Sequence, residues 1–406
     1  MTTGTATGRQ RRRVGYAASA AYTAICSRLP ANVDRAAVVD GLIEGLGLPA
    51  FCDDIIAPAM AKKQQLTVFH DAALVDRLVD GPGVDGHGCQ GGGGDGGDET
   101  DADPDAPKET ADERFGLEYD CPAFDGMSQY VRAVAGTTIA CARYLDVGGG
   151  GRDQRVAINW HGGRHHARRA RCAGFCYVND IVLGILELRK HADRVLYVDF
   201  DLHHGDGVDT AFTYSPNVLC LSVHRFDRGF YPGTGGPGAR GKGRGTNYSV
   251  NLPTRQGLGD ESLAQLVADV VLPTLADFDP QAVVVQCGAD GLARDPCREW
   301  NLSVRGLGDA ILQVVDAGRP TLLLGGGGYR HDDVARCYAY VTARVVGQGD
   351  AAEGWTAVPD SVAGVDAFRA DGFEFWTGHR SRMADDNAGD YLAGLVQRAA
   401  GTRPAS

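Results

Sequence analysis

The sequence predicts an α/β domain: one mostly parallel, multi-stranded sheet with helices on both faces. Three observations carry this expectation. Six short β runs, at residues 156–160, 195–199, 218–223, 248–252, 282–287 and 321–324, are almost wholly apolar rather than alternating, as strands covered on both sides should be. Longer segments separate them, and several, including 180–190 and 262–275, repeat apolar residues at helical spacing. Polar residues crowd at the carboxyl ends of the runs, where open α/β sheets build their sites.

Residues 1–13 hold Arg11, Arg12 and Arg13 with no apolar run behind them, which reads as a basic flexible tail rather than a signal peptide. Residues 50–80 carry Leu66, Phe69, Leu74 and Leu78 at helix-like spacing. Residues 81–113 contain Gly91 to Gly94, ten acids and one lysine, with almost no apolar content. Such a stretch cannot repay its ordering entropy, so it is expected to be a disordered insertion inside one catalytic domain spanning 14–380. A helix-like segment, 130–145, is ended by the glycine run 148–151. Residues 381–406 are expected to supply a C-terminal helix and a short tail.

The chain has 406 residues, 43% hydrophobic and 23% charged, enough for a large core. Nine of its twelve net negative charges lie in 81–113, so the near-neutral body offers no electrostatic footprint for nucleic acid. No stretch approaches the ~20 apolar residues of a membrane-spanning helix. Eleven cysteines, an odd number without C-x-x-C pairs, argue for reduced thiols in a cytosolic or nuclear compartment. Cys172 and Cys176 lack the second pair that a zinc hook needs and read as free thiols.

The run 195–199 ends in Asp199 and continues as Phe200-Asp201-Leu202-His203-His204-Gly205-Asp206. Strand alternation would put Asp199, Asp201 and His203 on one face. Two carboxylates and an imidazole in a dry pocket call for a cation, the alternative being a solvated loop. Asp290, at the end of the run 282–287, can complete the set. Two Asp and one His leave coordination positions open, the catalytic rather than structural pattern for zinc. His165-His166 follow the run 156–160, and Asp199 and Asp206 are carboxylates able to orient imidazoles that move a water proton. Tyr329 follows the glycines 325–328, where its hydroxyl can polarise a carbonyl. A phosphate cradle there lacks the Lys and Ser/Thr of a P-loop.

Together these motifs resemble the class I zinc-dependent histone deacetylase family, with its arginase/deacetylase-like fold. The resemblance rests on His165-His166, Gly174-Phe175-Cys176-Tyr177-Val178-Asn179-Asp180, Asp199 to Gly207, and Gly325 to Tyr329, and runs from about residue 14 to 347. Within the class the chain is most similar to the type-eight branch, through Tyr119-Asp120-Cys121-Pro122-Ala123, residues 229–235 and Gly288-Ala289-Asp290 followed by Asp295-Pro296. It implies hydrolysis of N6-acetyl-lysine in histones or other proteins, as a chromatin and transcription regulator of nucleus or cytoplasm. It also implies that Asp201, His203 and Asp290 hold zinc, or iron in the cell, and that Tyr329 polarises the carbonyl. His166, oriented by Asp206, would be general base and then acid, with His165 and Asp199 its electrostatic partners. Carbonyls around Asp199, Asp201 and His203 would hold potassium with Ser222 and Val223. Gly174, Phe175 and Tyr231 would line a lysine tunnel, with Asp120 at its rim.

Three departures stand out. The acidic insertion precedes the Asp120 rim. Arg164 replaces an apolar residue of the family beside a second arginine, Arg35, and two buried guanidiniums would need anions. Asp332 stands where corepressor-bound members carry an arginine for inositol phosphate, so a free-standing enzyme is expected. An acetylpolyamine amidohydrolase is disfavoured by the Asp120 rim. An arginase-type ureohydrolase would need a second carboxylate where Gly291 and Leu292 stand. A catalytically silent acyl-lysine reader would be betrayed by an absence of bound metal.

Overall fold

The computed structural model describes residues 12–81, 110–149, 153–378 and 382–401. Its strands are β1 (Arg12–Ala17), β2 (Asp54–Ile56), β3 (Gln154–Asn159), β4 (Val195–Asp199), β5 (Val218–Arg225), β6 (Ser249–Thr254), β7 (Ala282–Gln286) and β8 (Thr321–Leu324). All pair parallel, in the order β2-β1-β3-β8-β7-β4-β5-β6. Parallel neighbours cannot be joined by hairpins, so helices cross over both faces. This is the expected arginase/deacetylase-like architecture.

Alternate residues of each strand serve opposite faces. Val283 and Val285 of β7 join a cluster with Leu42 and Ile43 of the helix Arg35–Gly45, Ile311 and Val314 of Val304–Asp316, and Tyr338 of His331–Val345. Ala282 and Val284 face the other way, onto Cys141 of Met127–Tyr144 and Ile181 and Ile185 of Asp180–Leu188. Each fully buried Val, Leu or Ile contributes about 1.5–3 kcal/mol, and both faces are built of them, which is why the strands read as continuous apolar runs. Trp160, just after β3, stacks on Tyr338 at 4.3 Å and 8°, tying the end of a central strand to an outer helix.

Several expectations need correction. Arg12 and Arg13 belong to β1, not to a flexible tail: they pair with Gln154 and Arg155 in register, and Arg12 bonds Asp316 at 2.6 Å. The three-residue edge strand β2 and two short helices, Lys63–Leu66 and Ala72–Asp80, lie within 50–80, which had read as helical. The insertion ends before Glu113. Thr110 and Glu113 form a reciprocal capping box for the helix Ala111–Phe115, and Asp112 bonds Arg77 at 2.7 Å. Residues 82–109, with Gly91 to Gly94, lie outside the described residues, as do Arg11, Gly150 and Gly151. The periodic stretch 262–275 is split by a π turn, Val267–Val271, which ends two residues before Pro273, whose missing N–H cannot continue the helical ladder. All ten described cysteines are free thiols. Among the described residues no helix is long and apolar enough to cross a membrane.

His70 joins the outer helices to the segment that carries the site. It is buried; Asn179 N donates to its Nε2 at 3.0 Å, so Nδ1 carries the proton and donates to the Arg168 carbonyl at 3.0 Å. Burial lowers its pKa to about 4. An unfolded histidine titrates near about 6.5, so the stability contributed by the neutral ring is complete above that pH and is lost as the pH falls towards 4. The melting temperature should therefore decline across this window. His70→Asn, which cannot take up the proton, should show a shallower decline from a lower starting value; equal slopes in both proteins would refute the assignment.

Candidate active site

The site stands on four adjacent strands, β3, β8, β7 and β4. The turn after β3 carries His165 and His166, β4 ends at Asp199 and leads to Asp201, His203 and Asp206, β7 leads to Asp290, and β8 leads through Gly325 to Gly328 to Tyr329. Convergence follows from parallelism, because all four carboxyl ends lie on one edge of the sheet.

Asp201, His203 and Asp290 bring ligand atoms within 4.8 Å of one another. His203 Nδ1 lies 2.9 Å from Asp290 Oδ2 and 3.4 Å from Asp201 Oδ1. The remaining carboxylate oxygens are clamped from behind: Asp201 Oδ2 accepts from Gln286 Nε2 at 2.7 Å and Gly327 N at 2.8 Å, and Asp290 Oδ1 accepts from Leu202 N at 2.9 Å. Burial and the Asp201 charge push Asp290 up to about 7. Burial likewise opposes ionisation of Asp201, yet His165 and His203 hold it well below the usual carboxylate range. Burial disfavours a charged His203, but Asp201 and Asp290 raise it to about 10. The pocket thus demands a positive charge at its centre, and three convergent oxygen and imidazole donors fit a divalent metal ion.

The expectation that Asp199, Asp201 and His203 share one face fails, because β4 stops at Asp199 and the chain then turns. Asp199 points instead to His165 Nδ1, at 2.9 Å, and accepts from the Tyr197 hydroxyl at 2.6 Å. His166 Nδ1 lies 2.7 Å from Asp206 Oδ1, whose other oxygen is taken by Arg168. The two imidazoles are 3.9 Å apart but differently charged. Burial opposes a charged His165, yet Asp201 and Asp199 raise it to about 9; burial and the neighbouring His165 lower His166 to about 4. The surroundings thus favour the charged form of His165 and the neutral form of His166.

Tyr329 is held by its backbone, whose N–H donates to Asp295 at 2.7 Å. Burial and then Asp290 and Asp201 raise its phenol well above its ordinary pKa, so it remains a donor. Phe175 meets Tyr329 edge-on at 5.7 Å, and Tyr231 lies 5.0 Å from His166. Gly174, at φ +55°, donates its N–H to Asp120 at 2.7 Å, and a Cβ on it would fall 2.3 Å from His166. Ser222, the expected potassium neighbour, pairs in register with Asp199, with Val223 beside it; its hydroxyl bonds His224.

Sequence reasoning missed Gln286, Tyr197, Arg168 and Asp295. Gln286 was findable as the lone polar residue of an apolar run, and Tyr197 stands two residues before Asp199 on one strand. Arg35 needs no anion: its Nη1 donates to the carbonyls of Gly326, Gly327 and Gly328 at 2.9, 3.2 and 3.0 Å. A second acidic group, Asp332, Asp333 and Asp371, is no competing metal site, because Arg294 and Arg336 already bond it.

A histone deacetylase domain model matches residues 29–345. The chain is 41% identical to histone deacetylase 8 of Xenopus tropicalis over 82% of its own length and 84% of that protein. It is also 41% identical to histone deacetylase 8 of Danio rerio, over 83% and 82%. With histone deacetylase 1 of Homo sapiens it shares 39% over 70% of its own length and 57% of that protein.

A Cβ on Gly327 would sit 2.3 Å from Asp290 Oδ2, so Gly327→Ala should weaken divalent metal retention. Gln286→Leu, which frees the back of Asp201, should do the same by about 10- to 100-fold. Metal titration of the purified variants checks both; wild-type affinity would show that the three residues do not bind the ion.

Proposed function

The chain belongs to the histone deacetylase family and is a lysine deacetylase, and on that premise we propose that it hydrolyses N6-acetyl-lysine in histones or other proteins with zinc held by Asp201, His203 and Asp290. The supporting observation is the pairing of a neutral, buried His166 with Asp206 beside these three donors and the Tyr329 phenol. When bound, the metal polarises the acyl carbonyl and acidifies the attacking water.

The chain's own residues do the rest. His166, its Nδ1 fixed by Asp206, takes the water proton at Nε2 and returns one to the departing amine. His165, held by Asp199 at 2.9 Å, is the electrostatic partner beside His166. The Tyr329 hydroxyl donates to the carbonyl oxygen as negative charge develops there. Gly174, Phe175 and Tyr231 admit the apolar lysine stem, and Asp120 accepts from the substrate backbone. Iron in place of zinc suits the same donors. A structural potassium ion at the carbonyls around Asp199, Asp201 and His203, with Ser222 and Val223, is supported by the register pairing of Asp199 with Ser222.

The same reading makes the enzyme a nuclear or cytoplasmic protein independent of inositol-phosphate-bridged corepressors. Its support is Asp332, committed to Arg336 at 2.9 Å and Arg294 at 3.3 Å.

Purified protein should release acetate from an acetyl-lysine peptide, and a chelator should abolish the release. His166→Ala should lower kcat by about 10²- to 10⁴-fold, and Tyr329→Phe by about 10²- to 10³-fold, with KM little changed. Unaltered rates in both variants would sink the mechanism.

A further inference from the structure

The proposed reaction leaves one charge in its cavity unused. Arg164 lines the same cavity as His166, Asp201, His203 and Tyr329. It is only 5% exposed. One Nη donates to the His161 carbonyl at 3.2 Å, but Nε has no hydrogen-bond partner among the described residues. Tyr130, an electrostatic neighbour of Arg164 and 1% exposed, likewise leaves its hydroxyl unpartnered.

The two buried guanidiniums are unequally satisfied. Arg35, also buried, is bonded by three carbonyls, and after burial itself the Arg164 charge is the main influence lowering its pKa. Asp180 is the carboxylate beside Arg164, and its oxygens are taken by backbone and hydroxyl donors. Oδ1 accepts from Arg164 N at 2.8 Å; Oδ2 accepts from Gly163 N at 3.0 Å and Thr138 Oγ1 at 2.6 Å. Asp40 is engaged by His161, Tyr16 and Thr23. Arg35 is satisfied by its carbonyls, whereas Arg164 keeps an Nε that meets no acceptor among the described residues. An idle N–H on a buried cation is costly, and an anion accepting from it relieves that deficit.

We propose that Arg164 makes the floor of the catalytic cavity a carboxylate subsite, with the Tyr130 hydroxyl as a second donor. The sources of carboxylate rest on the hydrolysis proposed above. Water adds its oxygen to the acyl carbon, the C–N bond breaks and the amine takes the proton, so each turnover leaves a carboxylate where the acyl group sat. The other source is an acyl chain that itself ends in a carboxylate, as in succinyl-lysine.

The test uses metal-loaded wild type, Arg164→Leu and, should leucine impair folding, Arg164→Gln. Calorimetric titration with acetate, succinate and the neutral isostere acetamide reads the subsite without catalysis. Loss of Arg164 should weaken carboxylate binding about ten-fold or more, the scale of one charge-assisted hydrogen bond, and leave acetamide unchanged. Equal carboxylate affinity in wild type and variant overturns the proposal. Kinetics on one peptide carrying acetyl-, butyryl- or succinyl-lysine then separates the sources. A succinyl-to-butyryl kcat/KM ratio that falls about ten-fold in the variant identifies the acyl chain; an unchanged ratio with weakened inhibition by acetate identifies the product. Arg164-dependent carboxylate binding without turnover of any acyl peptide would uphold the subsite and reject the deacylase reading, and the reverse pattern would do the opposite.

Discussion

Mutual repulsion of two carboxylates sealed from water is the constraint around which this molecule is organised. Asp201 and Asp290 are both essentially buried, and their outer oxygens are bonded by groups from neighbouring strand ends: Gln286 of β7, Gly327 after β8 and Leu202 after β4. That clamp works only if these strand ends abut, which the central order β8-β7-β4 provides. It also dictates composition. A Cβ at Gly288 would fall 2.1 Å from Asp201, as one at Gly327 would from Asp290 at 2.3 Å, so the backbone must come closer than any side chain allows.

Beyond this centre, opposite charge states are imposed on like groups by their surroundings. His165 and His166 are adjacent in sequence and in space, but one faces Asp199 and Asp201 while the other shares Asp206 with Arg168. The tyrosine loop is steadied from two sides. Arg35 gathers its glycine carbonyls, and Asp295 takes the Tyr329 N–H, next to Arg294, which is bonded to Asp333 and Asp371. The carboxyl-terminal segment that supplies Asp371 is thereby coupled to the loop presenting the phenol.

Much of this was legible in the sequence, for a physical reason. Strands covered on both faces lose their alternation, so six of the eight were visible as apolar runs, with β4 and β8 at the expected limits. β1 and β2 were hidden because β1 begins with two arginines and β2, at the sheet edge, is only three residues long. The clustering of Asp201, His203 and Asp290 could be anticipated from strand ends alone. Their division of labour from Asp199 could not, since it depends on where β4 stops. The residues behind the site, Gln286, Tyr197 and Arg168, act through contacts that span the sheet, and spacing along the chain does not encode those. Arg35 was expected to need an anion because its carbonyl partners lie 291 or more residues away.

The strand order also bears on how the molecule is made. β8 sits between β3 and β7, yet among the described strands it comes last in the chain. Without β8 the strand order leaves two parts unjoined, β2-β1-β3 and β7-β4-β5-β6, each with an interior edge whose backbone ladder lacks its partner. Their pairing with β8 spans long sequence separations, the condition under which folding is slow and exposed edges associate wrongly. A polypeptide ending short of β8 is therefore left with two sticky half-sheets, and completion of the catalytic centre coincides with closure of that gap.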